Sequence, residues 1–230
     1  MNTSPIRLLA LAALGLSFAA CSSNTNSAEK STPDGSTAAS PVLTPGPWRG
    51  VLATQGQEIP FLFEVKTETG QPVVYLINKG LNGEERLRCE DIKSAGDSTT
   101  IRLHAFDAAL VVRAAGPDKL KGTWVKYDSK TPYRVPLTAT RGAQPLFPTE
   151  ATGAPGAFGG TWRATFRDEK GSYSAVGVFK QKDGNLTGTF LTTTGDYRYL
   201  NGNVSGQKLR LSTFDGSHAF LFTARNGPSE

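Results

Sequence analysis

Histidine and cysteine each occur twice in the 230 residues, and methionine once. Two imidazoles are too few for a multi-histidine metal site. Cys21 and Cys89 stand far apart and no Cys-x-x-Cys pair occurs, so the spacing of a zinc knuckle or a redox dithiol is missing. Also absent are the Gly-x-Ser-x-Gly elbow of an activated serine, His-Glu-x-x-His, and a phosphate-binding glycine loop. No run of five Lys or Arg appears and charges of both signs are interspersed, which leaves no nucleic-acid footprint. The apolar run at 8–20, broken only by Gly15 and Ser17, falls short of the roughly 20 residues needed to cross a bilayer. Neither a cofactor nor a metal is expected.

That run does fit the core of a signal peptide, which needs about 7 to 15 apolar residues after a positive charge and small residues at its end. Arg7 precedes it and Phe18-Ala19-Ala20-Cys21 closes it. The pattern resembles the lipobox of bacterial lipoproteins, with Phe18 where leucine is usual. It implies removal of residues 1–20, a lipid on Cys21, and an exported protein anchored to the cell-envelope membrane and facing the periplasm. An ordinary signal peptide cut after Ala20 is the alternative. Residues 21–46, rich in Ser, Thr, Asn, Ala and Pro, bury too little surface to offset chain entropy and read as a disordered tether. Its span is on the order of 25 to 30 Å. The mature chain keeps 24 basic and 20 acidic residues, Arg7 being the one charge lost. With Cys21 lipidated, Cys89 has no partner for an internal disulfide.

From Trp48 onward the apolar pattern has a period of two, with turn residues every 8 to 12 positions, as half-buried strands require. Strands are expected at 48–53, 59–66, 73–78, 85–92, 100–106, 110–114, 120–127 and 133–140. A second series follows at 160–166, 174–181, 185–192, 197–204, 208–213 and 219–224. The Pro- and Gly-rich segment 142–159 separates a first β-module, 47–141, from a second, 160–230. The modules match in order: Pro47-Trp48-Arg49-Gly50 with Thr161-Trp162-Arg163-Ala164, then Arg102-Leu103 through Phe106-Asp107 with Arg210-Leu211 through Phe214-Asp215. An ordered match of this kind is the mark of duplication. The expected architecture is all-β, an antiparallel meander curling into a barrel or half-barrel and built from two related copies, with a β-sandwich as the alternative. Turns are expected at Asp183-Gly184 and Asn201-Gly202, and a barrel mouth is the default ligand site. In the first copy a further strand follows 110–114, and its counterpart after 224 is expected to be missing.

Among the polar residues, His104 shares strand parity with Arg102 and should face solvent. Cys89 shares parity with Leu87 and reads as a small buried hydrophobe. Asp215, Ser217 and His218 fall within four residues, yet a triad needs a base oriented in space toward a nucleophile, and a turn shaped by side-chain to backbone bonds accounts for them. Asp196, Tyr197, Arg198 and Tyr199 form a polar-aromatic cluster, read either as a cross-strand pair with flanking rings or as a recognition surface. Asp215 and His218 join them as candidate recognition residues, and no catalytic residue is assigned.

The stretch Gly188-Thr189-Phe190-Leu191-Thr192-Thr193-Thr194-Gly195-Asp196-Tyr197-Arg198-Tyr199-Leu200-Asn201-Gly202, with Ser212-Thr213-Phe214-Asp215-Gly216-Ser217-His218-Ala219-Phe220 after it, resembles the β-rich region before the thioredoxin domain of membrane-tethered TlpA-type thiol-disulfide reductases. The resemblance covers about residues 160 to 224 and is looser over 47 to 140. It implies an accessory, non-catalytic module of an exported redox lipoprotein, acting as spacer or positioning a partner: a following thioredoxin domain and its substrate proteins. The catalytic cysteines of that family match no position here. A free-standing lipoprotein binding an apolar or glycan ligand in a barrel is the other reading.

Overall fold

Alternating side chains put one face of each segment in an apolar interior and the other in water, and the backbone pairs accordingly. The structure is a computed structural model and describes residues 43–150, 154–169 and 171–225. The leader, Cys21, nearly all of the tether and the end of the second module, 226–230, lie outside the described residues.

The first sheet contains β1 (Gly46–Thr54), β2 (Gln57–Glu68), β3 (Gln71–Gly80), β4 (Gly83–Cys89) and β5 (Ile92–Ala95). It continues with β6 (Ser98–Leu103), β7 (Ala108–Gly116), β8 (Lys119–Lys126) and β9 (Tyr133–Arg141). All pairs are antiparallel, in the order β4-β3-β2-β1-β9-β8-β7-β6-β5. Its edge strands β4 and β5 are joined by only Glu90 and Asp91. A sheet whose two edges are consecutive in the chain has to curl until they approach, and the Arg102 amide of β6 donates to the Asp91 carbonyl at 3.0 Å. Trp48, Phe61, Phe63, Leu76, Leu110 and Trp124 fill the interior, with Trp48 stacked on Phe63 at 5.8 Å.

The second sheet holds β10 (Gly160–Asp168), β11 (Gly171–Lys182), β12 (Asn185–Thr192) and the two-residue β13 (Gly195–Asp196). β14 (Leu200–Ser205), β15 (Lys208–Phe214) and β16 (Ala219–Arg225) complete it. The order is β10-β11-β12-β14-β15-β16, with β13 also on β12. Each sheet is curled into a half-barrel.

The two sheets are related copies. The same numerical shift carries Gly46 to Gly160, Thr54 to Asp168, Glu68 to Lys182 and Gln71 to Asn185, so β1 to β3 and β10 to β12 begin and pair in one register. The Trp48 indole donates to the carbonyl four residues back, Thr44, at 2.9 Å. The Trp162 indole does the same to Phe158, also at 2.9 Å. The β2–β3 turn, Thr69-Gly70, and the β11–β12 turn, Asp183-Gly184, both have positive φ at each central residue, the mirror-image turn that suits the twist of a hairpin.

Three local expectations are corrected. Asn201-Gly202 lies inside β14, where Gly202 pairs with Leu211. A Cβ at Gly202 would come within 1.9 Å of the Arg210 carbonyl, so this glycine serves close strand approach and not a turn. The strand expected at 197–204 starts at Leu200. The one expected at 100–106 ends at Leu103, and His104–Phe106 form a 3-10 turn.

Between the sheets, neighbouring residues of one hairpin serve both interiors. On β15, Leu209 and Leu211 join the second core while Phe214 enters the first. Phe214 is 1% exposed and sits against Phe61 and Trp124 at ring separations of 4.6 and 5.2 Å. The Ser212 hydroxyl donates to the Pro60 carbonyl at 2.7 Å. The Trp124 indole donates to the Gly216 carbonyl at 3.2 Å. The first half-barrel is thus packed with the chain's own side chains. Among its described residues, segment 142–159 contributes no strand, as its Pro and Gly dictate, but Phe147 and Phe158 in it are buried. Arg49 donates to the Leu146 carbonyl at 2.9 Å and Asn203 to that of Phe147 at 3.2 Å, which ties the segment to both sheets.

Candidate functional site

All six candidate recognition residues, Asp196, Tyr197, Arg198, Tyr199, Asp215 and His218, line one cleft of about 610 Å³ between the sheets. The size is that of a small-molecule or side-chain site.

One wall is the loop from β12 to β14. The Thr192 hydroxyl donates to the Gly195 carbonyl at 2.8 Å, and β13 pairs back on β12, which leaves Asp196 exposed on the rim. The Tyr197 amide donates to the Phe190 carbonyl at 2.9 Å, and the Thr189 hydroxyl to the Tyr197 carbonyl at 3.0 Å. Held at both backbone groups, the Tyr197 ring packs among Phe166, Phe190, Phe220 and Phe222. Burial first, then the Tyr173 hydroxyl, pushes its phenol above the usual tyrosine range. Tyr199 has φ of +61°, a left-handed backbone uncommon for a bulky residue. It lies against Gly80, where a Cβ would come 3.2 Å from the Tyr199 Cα. Arg198 donates to the Tyr199 hydroxyl at 3.1 Å and lies 5.1 Å over its ring. Among the described residues neither Asp196 nor Arg198 has an ion-pair partner, so the expected cross-strand pair does not form: these residues lie at or beyond a strand end.

The other wall is the turn between β15 and β16. One Asp215 carboxylate oxygen accepts from the Ser217 and His218 amides at 2.8 and 2.7 Å, as expected of an Asx turn. The other faces His218 Nδ1 at 3.3 Å. The His218 ring stacks on Phe220, 5.8 Å away and 7° from parallel. Ser217 makes no side-chain bond to His218 among the described residues, so no nucleophile, base and orienter stand in line.

The first copy supplies what parity arguments miss: Asn78, Glu85, Leu87 and Phe106 also line the cleft. Phe106 belongs to the repeated Phe-Asp pair, the one signal in the sequence that singled it out. Asn78 is 6% exposed and accepts from the Thr213 hydroxyl at 3.3 Å. His104 is exposed and faces Asp91 at 2.9 Å, away from this cleft. Cys89 is 3% exposed, and burial pushes its thiol up to about 12. Among the described residues no group of three or more His, Cys, Asp or Glu is placed to hold a metal ion, and no helix is long and apolar enough to cross a membrane. The cleft offers fixed rings bordered by carboxylates, a guanidinium and an imidazole, an arrangement suited to binding. The chain matches no family model and no curated protein.

Proposed function

We propose that the chain is a non-catalytic recognition module of an exported, lipid-anchored protein, which holds a partner at the cleft between its two sheets. The observation that carries this reading is the convergence of Asp196, Tyr197, Arg198, Tyr199, Asp215 and His218 on that cleft. The TlpA-type resemblance makes the partner a thioredoxin-fold reductase or a protein it acts on. The buried, protonated thiol of Cys89 suits an accessory role, since the thiolate is the reactive form. A lipid on Cys21 and the tether would keep the module near the membrane.

The same cleft supports a second reading, a glycan site. The parallel His218 and Phe220 rings give a flat apolar face, and Asp196, Asp215 and Arg198 surround it with partners for hydroxyl groups.

One titration separates the two. The isotope-labelled, lipid-free protein is mixed with a purified thioredoxin domain of a TlpA-type reductase, and separately with soluble oligosaccharides, while backbone amide resonances are followed. The first reading expects shifts at 194–199 and 215–220 with the thioredoxin domain, lost in Arg198→Ala. Shifts with oligosaccharide alone replace it with the second, and silence of the cleft toward both rejects the two together. The anchor is tested by Cys21→Ser, which should release the protein from membranes; retention after a salt wash would remove the lipoprotein assignment.

A further inference from the structure

We infer that a second hollow beside the β15–β16 turn is a saccharide site, in which the exposed Tyr133 ring stacks on one sugar of a neutral oligosaccharide and the β1–β2 turn binds its hydroxyl groups. This hollow, of about 540 Å³, lies between β16 and the ends of β1, β2, β8 and β9. Only His218 and Phe220 line both it and the recognition cleft. The inference does not depend on what occupies that cleft.

Tyr133 opens β9 and is 49% exposed, yet its ring is not free to swing. It meets the buried Trp124 at 6.2 Å and nearly at right angles, and its hydroxyl shares a hydrogen bond with the Thr54 hydroxyl at 3.3 Å. Trp124 is fixed in turn by its indole bond to the Gly216 carbonyl and by the Phe214 ring. A large ring left in water but held at both ends meets a ligand with little further loss of freedom. The first sheet thus supplies one aromatic wall, and the second supplies the stacked rings of His218 and Phe220.

The polar groups around these rings point to a neutral ligand. Gln55 and Gly56 both have positive φ, the mirror-image hairpin turn, and it sets the carboxamides of Gln55 and Gln57 beside the hollow. Among the described residues neither carboxamide nor the Ser217 hydroxyl has a hydrogen-bond partner. A carboxamide both donates and accepts, and so does a sugar hydroxyl. The charges close by are matched: Lys126 lies 3.0 Å from Asp128, and His218 faces Asp215. A ring for the C–H face of a pyranose, amides for its hydroxyls and no unmatched charge suit a neutral saccharide better than an anion, a lipid or a charged peptide.

The lipid-free full-length protein, tether included, is titrated with cellotetraose, maltotetraose and chitotetraose while backbone amide and tyrosine ring resonances are followed. At least one of these sugars should shift residues 54–57 and Tyr133. Tyr133→Ala should weaken that sugar by about tenfold, whereas Tyr133→Phe keeps the ring and should bind within about threefold of the wild type. Gln55→Ala with Gln57→Ala, two exposed positions, should weaken it by about tenfold. Binding should be unchanged in about 1 M salt, since no charge is engaged. Silence at 54–57 and Tyr133 toward all three sugars at millimolar concentration overturns the inference. So do shifts confined to 194–199 that survive Tyr133→Ala, which assign the sugar to the recognition cleft. Shifts at 54–57 and Tyr133 caused by the thioredoxin domain and by no sugar overturn it as well, since the hollow is then part of a protein contact. The recognition cleft is read at 194–199 and through Arg198→Ala, so the two results stand or fall apart.

Discussion

Cys89 owes its chemistry to its place on β4, where its side chain turns inward with Val74 opposite. Burial pushes the thiol up to about 12, whereas an unfolded cysteine titrates near 8.5. Between those values the folded state holds the proton and the unfolded state releases it, so stability falls as pH rises above about 8.5. Urea midpoints across pH 7 to 10 should show that fall in the wild type and a smaller one in Cys89→Ala. Native protein should react with a thiol reagent no faster than it unfolds. Gly216 is a second decisive residue. Its φ is +99°, and a Cβ there would come 2.9 Å from the Phe106 ring. Gly216→Ala is expected to cost about 1 to 3 kcal/mol, measured by chemical denaturation, and to disturb the Asp215–His218 turn beside the cleft.

Among the elements, the hairpin of β3 and β4 carries a charged outer face. Arg86 reaches Glu64 at 2.6 Å and Glu84 at 2.7 Å; Arg88 reaches Glu68 at 3.0 Å and also pairs with Glu90. The Arg86 hydrogen bond holds the Glu64 carboxyl below the usual carboxylate range, and the Tyr75 hydroxyl, then Arg88, does so for Glu68. Carboxyls lowered in the folded state stabilise it above their unfolded pKa, near 4.3, and that contribution is lost as pH falls through the folded values. Glu64→Gln should therefore flatten the loss of stability below about pH 4. The difference should shrink in 1 M salt, because these pairs are solvent-exposed and screened. The turns between β2 and β3 and between β11 and β12 show how local chemistry marks an element's end. Asp183-Gly184 is readable as a turn because both residues tolerate positive φ. Asn201-Gly202 looks alike and is not one, because close approach to Arg210 is visible only across the sheet.

For the whole molecule, Phe214 is the joint. It belongs by sequence to the second copy and by packing to the first. Phe214→Ala should cost about 3 to 5 kcal/mol, the range for a buried ring removed from a core. In the wild type the shared packing should make both half-barrels unfold in one calorimetric transition. In the variant that transition should broaden or split, whereas a sharp transition with an unchanged midpoint would show that Phe214 does not join them.

The sequence by itself determined the all-β class, the duplication and the inward side of Cys89. Periodicity, turn chemistry and repetition are local or ordered properties, and they survive in a string of letters. The tertiary structure alone decided that Phe214 serves its neighbour's core, that Asp196, Tyr197, Arg198, Tyr199, Asp215 and His218 share one cleft with Asn78, Glu85, Leu87 and Phe106, and that Asp196 and Arg198 have no ion-pair partner among the described residues. It also decided that Trp162 stands exposed where Trp48 is buried. Each of these depends on which apolar face meets which across two copies of similar pattern, and a period of two states that a face is apolar without stating what covers it.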